Sequence, residues 1–161
     1  MSCGCGKDFD TGSCVLDVLK EIEKVQNAVE DDDCCRTSCE ESINEVLGET
    51  RPRRRRKDTV PIILYNKDGS PFKGFGYQRV PGPDKDCIVA SFIFRVKHID
   101  KKGCAVLELL LKDGENCGPS HLKDPTQQCP DDLESTGICI TVNLHCFCHV
   151  TCLPAVRLRR D

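Results

Sequence analysis

The sequence predicts an α+β fold, in which an N-terminal helical arm precedes an antiparallel β-sandwich or barrel-like body. Up to about residue 48 the apolar residues recur every three or four positions, which is the period of an amphipathic helix. Beyond residue 58 they alternate with polar residues between turn-rich loops, which is the period of β-strands. A Pro-broken run of Arg and Lys separates the two halves. We therefore predict an acidic, Cys-rich helical arm at 1–48, a basic linker at 49–58 and an antiparallel β domain at 59–161.

Two helices are predicted in the arm. The first has a single apolar stripe, which must pack either on the β body or on the same helix of another subunit. Its members are Val15, Leu16, Val18, Leu19, Ile22, Val25 and Val29. The second helix starts near Ser38, which has the capping-box spacing to Glu41, and stops at Gly48. Its apolar positions are Ile43, Val46 and Leu47.

The β domain contains strand-like stretches separated by turn signals. They are residues 59–65, 71–78, 87–99, 104–111 and 139–152, the last of these as one strand or more. Residues 87–99 give the clearest single-strand pattern, and residues 104–111 are almost wholly apolar, which predicts a central strand. The intervening residues 112–135 contain Gly, Pro and two cysteines, which predicts an irregular surface excursion.

Cysteine is the most unusual feature of the composition. The 161 residues include 14 cysteines, a single Met and no Trp. Such a density is typical of a disulfide scaffold, and disulfides persist in oxidising compartments. The N-terminus shows no apolar core or cleavage site of a secretion signal, and no apolar run approaches the roughly 20 residues of a membrane span. We expect no membrane partner, and either a cytosolic metal protein or a protein oxidised after its cell opens.

Charge divides the chain into two parts. Residues 1–50 carry four basic and thirteen acidic side chains, and residues 51–161 carry nineteen basic and thirteen acidic ones. The two parts either attract each other between copies or form two independently solvated surfaces. The basic run 51–57 lacks interleaved aromatic residues for base stacking, and the adjacent acidic arm repels phosphate. We predict a solvated linker, or a contact for another subunit's acidic arm, and no nucleic-acid partner.

Signatures of catalysis are missing from the sequence. There are four histidines and many thiols, but no C-x-x-C redox motif, G-x-S-x-G, P-loop or dinucleotide fingerprint. We therefore predict no enzymatic activity, no catalytic residues and no cofactor.

The C-terminal stretch offers metal ligands at close spacing. On an extended strand Cys146 and Cys148 face one side, whereas His145 and His149 face the other, so a tetrahedral zinc site would need a bulge. We predict a stapled strand without metal. The alternative is a cytosolic zinc-binding interaction module, with the ligands Cys146, Cys148, His149 and Cys152.

Four stretches carry a family resemblance: residues 61–72 (PIILYNKDGSPF), 94–96 (FRV), 104–107 (CAVL) and 139–153 (CITVNLHCFCHVTCL). The opening M-S-C-G, the C-V-L-D-V of the first helix and the C-x₃-C spacing of Cys35 and Cys39 belong to the same pattern. Together they resemble the spore coat and exosporium proteins of the CotY, CotZ and ExsY family. The most specific part is C-F-C-x₃-C after an alternating strand. The basic run 51–57 and the histidines His145 and His149 depart from that family's pattern.

The resemblance implies a structural protein of endospore-forming bacilli. Members of this family self-assemble into two-dimensional hexagonal arrays in the outermost spore layers, the crust or the exosporium, with disulfides between subunits. The implied partners are further copies of the chain, as hexameric rings that tile a plane, and other spore coat proteins. Synthesis in the mother-cell cytoplasm followed by deposition on the spore would explain a Cys-rich chain without a secretion signal.

Position along the chain suggests a role for each thiol. We expect the arm to form one lattice contact. The arm also contains the candidates for bonds between subunits, which are Cys3, Cys5, Cys14, Cys34, Cys35 and Cys39. Candidates for bonds within the chain lie in the β domain: Cys87, Cys117, Cys129, Cys139, Cys146, Cys148 and Cys152. Cys104, inside an apolar strand, is predicted to be a buried and inert thiol.

Overall fold

The computed structural model describes residues 14–25, 38–48, 57–80, 82–83, 86–112 and 122–158. Within these ranges two helices precede seven strands, which confirms the predicted α+β class with a β-rich body. The elements are α1 Cys14–Val25, α2 Cys39–Leu47, β1 Ile62–Asn66, β2 Gly74–Gln78, β3 Cys87–Ser91, β4 Phe94–Ile99, β5 Cys104–Lys112, β6 Leu133–Asn143 and β7 Phe147–Cys152, with short 3-10 helices at Pro125–Gln127 and Leu144–Cys146. All strand pairings in these ranges are antiparallel.

The main sheet has five strands in the order β6-β5-β4-β1-β7, and β2 and β3 form a separate two-stranded sheet. Although β6 and β7 lie at opposite edges, only the 3-10 helix Leu144–Cys146 joins them. Consecutive Cα atoms are about 3.8 Å apart, so Asn143 and Phe147 lie at most about 15 Å apart. The edges of a flat five-stranded sheet would be about 19 Å apart. The sheet therefore coils towards a barrel.

One hydrophobic core joins the helices to the main sheet. Leu19 and Ile22 of α1 are fully buried in the same cluster as Ile62, Phe94 and Leu107 of the strands. The apolar stripe of α1 thus packs on the body of its own chain, which decides between the two alternatives that the sequence left open. The predicted boundaries of the arm, linker and β domain stay predictions, since 49–56 lie outside the described ranges.

A second, smaller core lies under the C-terminal segment. It contains the buried side chains Ile93, Leu110, Leu133 and Leu158. The backbone of this segment pairs with residues before β1, since Leu153 N–H donates to the Pro61 carbonyl and Val156 N–H to the Thr59 carbonyl, both at 2.8 Å. The chain after β7 is therefore part of the packed body.

Helix α2 is fixed to the end of β7 by covalent and polar contacts. Cys39 and Cys152 form a disulfide, with Cα atoms 4.7 Å apart and a sequence separation of 113. The Ser42 hydroxyl donates to the Leu153 carbonyl at 2.5 Å, and both groups lie close to that bond in sequence. The helix is thus tied to the body at its first residue and again one turn later.

The predicted single strand at 87–99 is wrong, because β3 and β4 belong to different sheets. The break between them is stabilised by a buried polar network. The Gln128 side chain accepts from Phe92 N–H at 2.8 Å and donates to the Ser91 hydroxyl at 2.8 Å. The Ser91 hydroxyl in turn donates to the Leu110 carbonyl at 2.7 Å. Buried backbone groups need such partners. The predicted irregular excursion at 112–135 also ends sooner than expected, since β6 begins at Leu133.

Two glycines allow the β2–β3 sheet to lie directly on the main sheet. A Cβ atom at Gly76 would overlap Cγ2 of Ile138, and one at Gly74 would lie 2.6 Å from Cε1 of Phe94 and 2.9 Å from Cδ1 of Ile140. Both positions therefore require a residue without a side chain, because the backbone of β2 approaches these neighbours so closely.

Replacing Cys39 and Cys152 together by Ala is expected to lower the free energy of unfolding by about 2–5 kcal/mol, because the bond closes a very long loop. Urea unfolding without reductant measures the loss. Cys129→Ala, at a half-buried free thiol, is the matched control. With reductant present, the parent and the double variant should have nearly the same stability. A difference of the same size under reduction would assign the effect to packing instead of the bond.

Gly76→Ala is expected to lower the free energy of unfolding by about 1–3 kcal/mol, because the added methyl overpacks the contact with Ile138. Ile138→Ala removes the overlapping methyl group, so the double variant should lose less stability than the sum of the two single variants. Gly48→Ala is the control, since its nearest neighbour is the Glu45 carbonyl at 3.5 Å. Simple additivity in urea unfolding would contradict the proposed clash.

Candidate functional site

The Cys-rich C-terminal stretch is interrupted by a turn that is anchored in the core. The side chain of Asn143 accepts from His145 N–H at 3.0 Å at the start of the 3-10 helix Leu144–Cys146. Leu144 is fully buried, and its N–H donates to the Gly103 carbonyl at 2.9 Å. The cysteines and histidines therefore do not lie on two faces of one extended strand, and that prediction is wrong at this turn.

The structure sorts the described cysteines by bonding and exposure. Cys39 is bonded to Cys152, and Cys87 is also disulfide-bonded. The free cysteines in the described ranges are Cys14, Cys104, Cys139, Cys146 and Cys148, which are exposed, and Cys129, which is half-buried. The remaining candidates lie outside the described residues: Cys3, Cys5, Cys34, Cys35 and Cys117.

Several expectations need correction. Cys39 was expected to bond to another subunit, but α2 brings it beside the end of β7 and it is bonded within the chain. Cys104 was expected to be buried, but it is exposed because it is the first residue of β5, directly after a turn. Four cysteines expected in bonds within the chain are free in the structure: Cys129, Cys139, Cys146 and Cys148.

Three exposed free thiols surround the connection between β6 and β7, and we call Cys104, Cys146 and Cys148 the connection thiols. Cys104 lies opposite Asn143, the last residue of β6. Cys146 ends the 3-10 helix, and Cys148 lies two residues later in β7. The thiol of Cys148 donates to the Asn66 carbonyl at 2.9 Å. Solvent-accessible sulfur is thus concentrated where the sheet closes.

The histidine beside Cys148 is held by an aromatic stack. The His149 ring lies on the Tyr65 ring, with centroids 3.6 Å apart and an interplanar angle of 15°. The Thr151 hydroxyl in turn donates to the Tyr65 hydroxyl at 3.3 Å. Nδ1 of His149 lies 4.0 Å from Sγ of Cys148. The imidazole therefore has a fixed position on the exposed side of β1 and β7.

The four residues of the alternative zinc site do not converge. Cys152 is buried, pairs with Ile62 in the register and is bonded to Cys39, whereas Cys148 is exposed near the other end of β7. Within the part of the chain that the structure describes, no three His, Cys, Asp or Glu side chains are grouped so that they could hold a metal ion. A tetrahedral zinc site requires ligands that meet at one point.

Cys139 differs from the connection thiols because it lies beside a buried carboxylate. It is directly opposite Glu108 in the register, and the Glu108 side chain is 2% exposed. One carboxylate oxygen of Glu108 accepts from the Ser135 hydroxyl at 2.5 Å, and the other lies 3.5 Å from Nζ of Lys97. Burial raises the pKa of the Cys139 thiol, the Glu108 charge raises it further, and Lys97 opposes the rise. Cys139 is therefore a poorer nucleophile than its exposure suggests.

Glu108 is not among the predicted site residues, although the sequence contains a signal for it. It is a lone charged residue inside the almost wholly apolar stretch 104–111. A carboxylate at such a position must be paired or hydrogen-bonded, because burying an isolated charge is costly. Side chains alternate between the two faces of a strand, and this alternation along β4 makes Lys97 a possible partner of Glu108.

The chain is thus a cysteine-rich protein whose β-rich body combines the internal Cys39–Cys152 disulfide with exposed thiols. None of the helices in the described ranges is long and apolar enough to cross a membrane. A family model described as Spore coat protein Z matches residues 3–155. The chain is also 34% identical over 147 residues to Spore coat protein Z of Bacillus subtilis (strain 168), which covers 89% of this chain and 90% of that relative. No solved structure matches.

The chain therefore belongs to the spore coat protein Z family, and the resemblance stated from the sequence is confirmed. This family is one of structural spore coat proteins and is not a known enzyme family. The similarity to Spore coat protein Z also confirms the predicted location in the spore surface layer.

Cys139 is expected to react with iodoacetamide more slowly at neutral pH than an unperturbed thiol, because a raised pKa leaves less thiolate. Glu108→Gln removes the negative charge and should shift the pH profile of alkylation to lower pH, whereas Lys97→Ala should shift it to higher pH. Mass spectrometry of the peptide that contains Cys139 gives the rates over a pH series.

The connection thiols serve as the internal control, since their alkylation profiles should not change in either variant. Identical profiles for Cys139 in the parent, Glu108→Gln and Lys97→Ala would contradict an electrostatic origin of the slow reaction.

Proposed function

We propose that this protein is a self-assembling tile of a two-dimensional lattice in the outermost layer of the endospore, the crust or exosporium, and that disulfides between subunits cross-link the lattice. The observation that carries the proposal is the set of exposed free thiols on a body whose own disulfides are already formed. Membership of a spore coat family supplies the setting.

The positions of the exposed thiols suit bonds between chains. Cys14 is the first residue of α1, Cys139 lies midway along the edge strand β6, and the connection thiols lie where the sheet closes. These thiols lie on three different parts of the fold: a helix, an edge strand and the β6–β7 connection with the start of β5. A tile that fills a plane needs at least two different contacts, one that closes a ring and one that joins rings. Separate thiol sites allow one chain to be bonded to more than one neighbour.

The cross-linking chemistry is simple oxidation. One thiol from each of two chains loses its proton and they form one S–S bond, with the two electrons passing to molecular oxygen or to a small disulfide that is reduced to thiols. A reducing cytoplasm disfavours this bond, and an oxidising exterior favours it. A chain that is made in the mother-cell cytoplasm would therefore be cross-linked only after its deposition on the spore, because the compartment alone sets the timing of this oxidation.

The contacts that precede cross-linking need a surface other than the apolar stripe of α1. We expected the helical arm to mediate one contact, but the apolar stripe of α1 is buried in its own chain. The proposed hexameric rings, and any assembly with other spore coat proteins, therefore require surfaces on the strands or the acidic and basic segments. The arm thiols outside the described residues stay candidates for bonds between subunits: Cys3, Cys5, Cys34 and Cys35.

Replacing all three connection thiols by Ser is expected to reduce the multimers that resist boiling in detergent without reductant, because these thiols are exposed and unbonded. Non-reducing and reducing gel electrophoresis of air-oxidised protein measures the change. Cys129→Ser is the matched control, since this free thiol is half-buried and should cross-link little.

Negative-stain electron microscopy of the same samples tests assembly separately from cross-linking. We expect ordered sheets from the parent protein, and sheets that dissolve in reductant more readily from the triple variant. Parent protein that stays monomeric under oxidising conditions would contradict the lattice function. Unchanged multimers in the triple variant would exclude the connection thiols and leave Cys14, Cys139 and the arm thiols.

A further inference from the structure

In the part of the chain that the structure describes, the outward face of the β2–β3 sheet is apolar and exposed. Tyr77 lies opposite Ile88, and Phe75 lies opposite Ala90, so these side chains share one face. Phe75 is 60% exposed, Tyr77 53% and Ile88 64%, and they are the large hydrophobic side chains exposed in the described ranges. Scattered apolar residues on a surface need no explanation, whereas the largest contiguous apolar patch of a protein is often functional. We call this face the β2–β3 patch.

The patch cannot turn inward, because the opposite face of the same sheet is already used. Gly74 and Gly76 point that face at Ile138 and Ile140 of β6, with no room for a Cβ atom. In the described ranges this sheet has two strands, and an isolated two-stranded ribbon is marginally stable in water. A partner that covers the outward face would therefore stabilise the ribbon as well as bury apolar area.

The size of the patch indicates what kind of contact it can make. With about 200 Å² for each fully exposed large side chain, the three exposed fractions give roughly 350 Å² of side-chain surface. A standard protein interface buries about 800 Å² on each partner. The patch is thus the apolar centre of a modest contact, of the kind that a lattice repeats many times and that multivalency strengthens.

Two oppositely charged side chains, Lys73 and Asp86, lie at opposite ends of the patch. At one end Nζ of Lys73 lies 5.7 Å from the Phe75 ring centroid and donates to the Leu122 carbonyl at 2.6 Å, which leaves two ammonium protons. At the other end the exposed Asp86 carboxylate accepts from the Tyr77 hydroxyl and from Val80 N–H. The Tyr77 hydroxyl, and then the Val80 N–H, hold the pKa of Asp86 below its usual value, so it is negative at neutral pH.

We propose that the β2–β3 patch is a two-fold interface with a second copy of this chain. A two-fold axis that lies in the interface and runs perpendicular to the strands lays each ribbon on the other in opposite directions, so the Lys73 end of each copy meets the Asp86 end of the other. Arg79 is also exposed at the Asp86 end. The test below therefore changes Lys73 at one end and Asp86 at the other, and it leaves Arg79 in place. The inference rests on the proposed lattice function, for which it supplies the contact that joins one ring to the next.

The first test exchanges the charges between chains, in full-length protein with reductant present so that no disulfide contributes. Lys73→Glu places like charges at both contacts of a two-fold dimer, and so does Asp86→Lys. Each variant alone should therefore associate about tenfold or more weakly than the parent in sedimentation velocity. An equimolar mixture should associate as the parent does, because each contact then joins a carboxylate and an ammonium group. A defect in folding cannot be repaired by mixing, so recovery identifies a contact between chains.

The second test removes the apolar centre. Phe75→Ser combined with Ile88→Ser should weaken association about tenfold or more, because large side chains at the centre of an interface carry most of its free energy. Thr141→Ala, at an exposed position of β6, is the matched control and should leave association unchanged. Circular dichroism and formation of the Cys39–Cys152 bond show that each variant is folded.

The outcomes separate this inference from the proposed function. Mixtures that associate no better than the single variants, or a Phe75/Ile88 variant that associates as the parent does, would overturn the interface. Lattices in electron microscopy that persist with such results would leave the lattice function standing. A parent that forms no lattice on oxidation, while the mixed charge variants recover dimerisation, would overturn the function and keep the interface. If the patch variants lost binding to another coat protein while their self-association stayed intact, a second copy of this chain would be excluded as the occupant of the β2–β3 patch.

Discussion

The structure depends on the closure of one coiled sheet by a three-residue turn. β6 and β7 are consecutive in the chain but lie at opposite edges of the main sheet, so the residues between them must hold those edges close together. Leu144 does so by entering the core while its N–H bonds to Gly103 at the start of β5. The same closure concentrates the connection thiols at one place and leaves the end of β7 beside α2, where the Cys39–Cys152 bond forms.

Backbone position, rather than spacing in the sequence, sorts the cysteines into two classes. Cys152 faces the core in register with Ile62, and α2 supplies its partner. The connection thiols face solvent at a turn or at the first residues of a strand. Exposure alone does not decide reactivity, since Cys139 is exposed yet lies opposite the buried Glu108 carboxylate, which raises the thiol pKa. The chain therefore separates bonds that stabilise one tile from thiols that can join tiles.

The proposed assembly depends on two things: the bonded cysteines and the exposed thiols lie at different places, and the chain passes from a reducing cytoplasm to an oxidising exterior. A weak contact through the β2–β3 patch would form first, because it needs no oxidant and involves side chains that are already exposed and fixed in orientation by Gly74 and Gly76. Disulfides between neighbouring tiles would then make the arrangement permanent once the surroundings are oxidising. Reversible contacts allow errors in an array to be corrected before covalent bonds fix them.

The sequence by itself determined the class of fold, both helices, most strands and the family. Periodicity reports burial, and burial is set locally, so α1 and the apolar stretch at 104–111 could be predicted. It did not determine the break between β3 and β4, which depends on Gln128 reaching Ser91 and Phe92 from a distant loop.

Only the tertiary structure decided which thiols are bonded, which are exposed and which are electrostatically perturbed. Fourteen cysteines allow a very large number of pairings that no spacing rule distinguishes. The pairing of Cys39 with Cys152 and the effect of Glu108 on Cys139 arise between residues that are far apart in the chain and adjacent only in the folded protein.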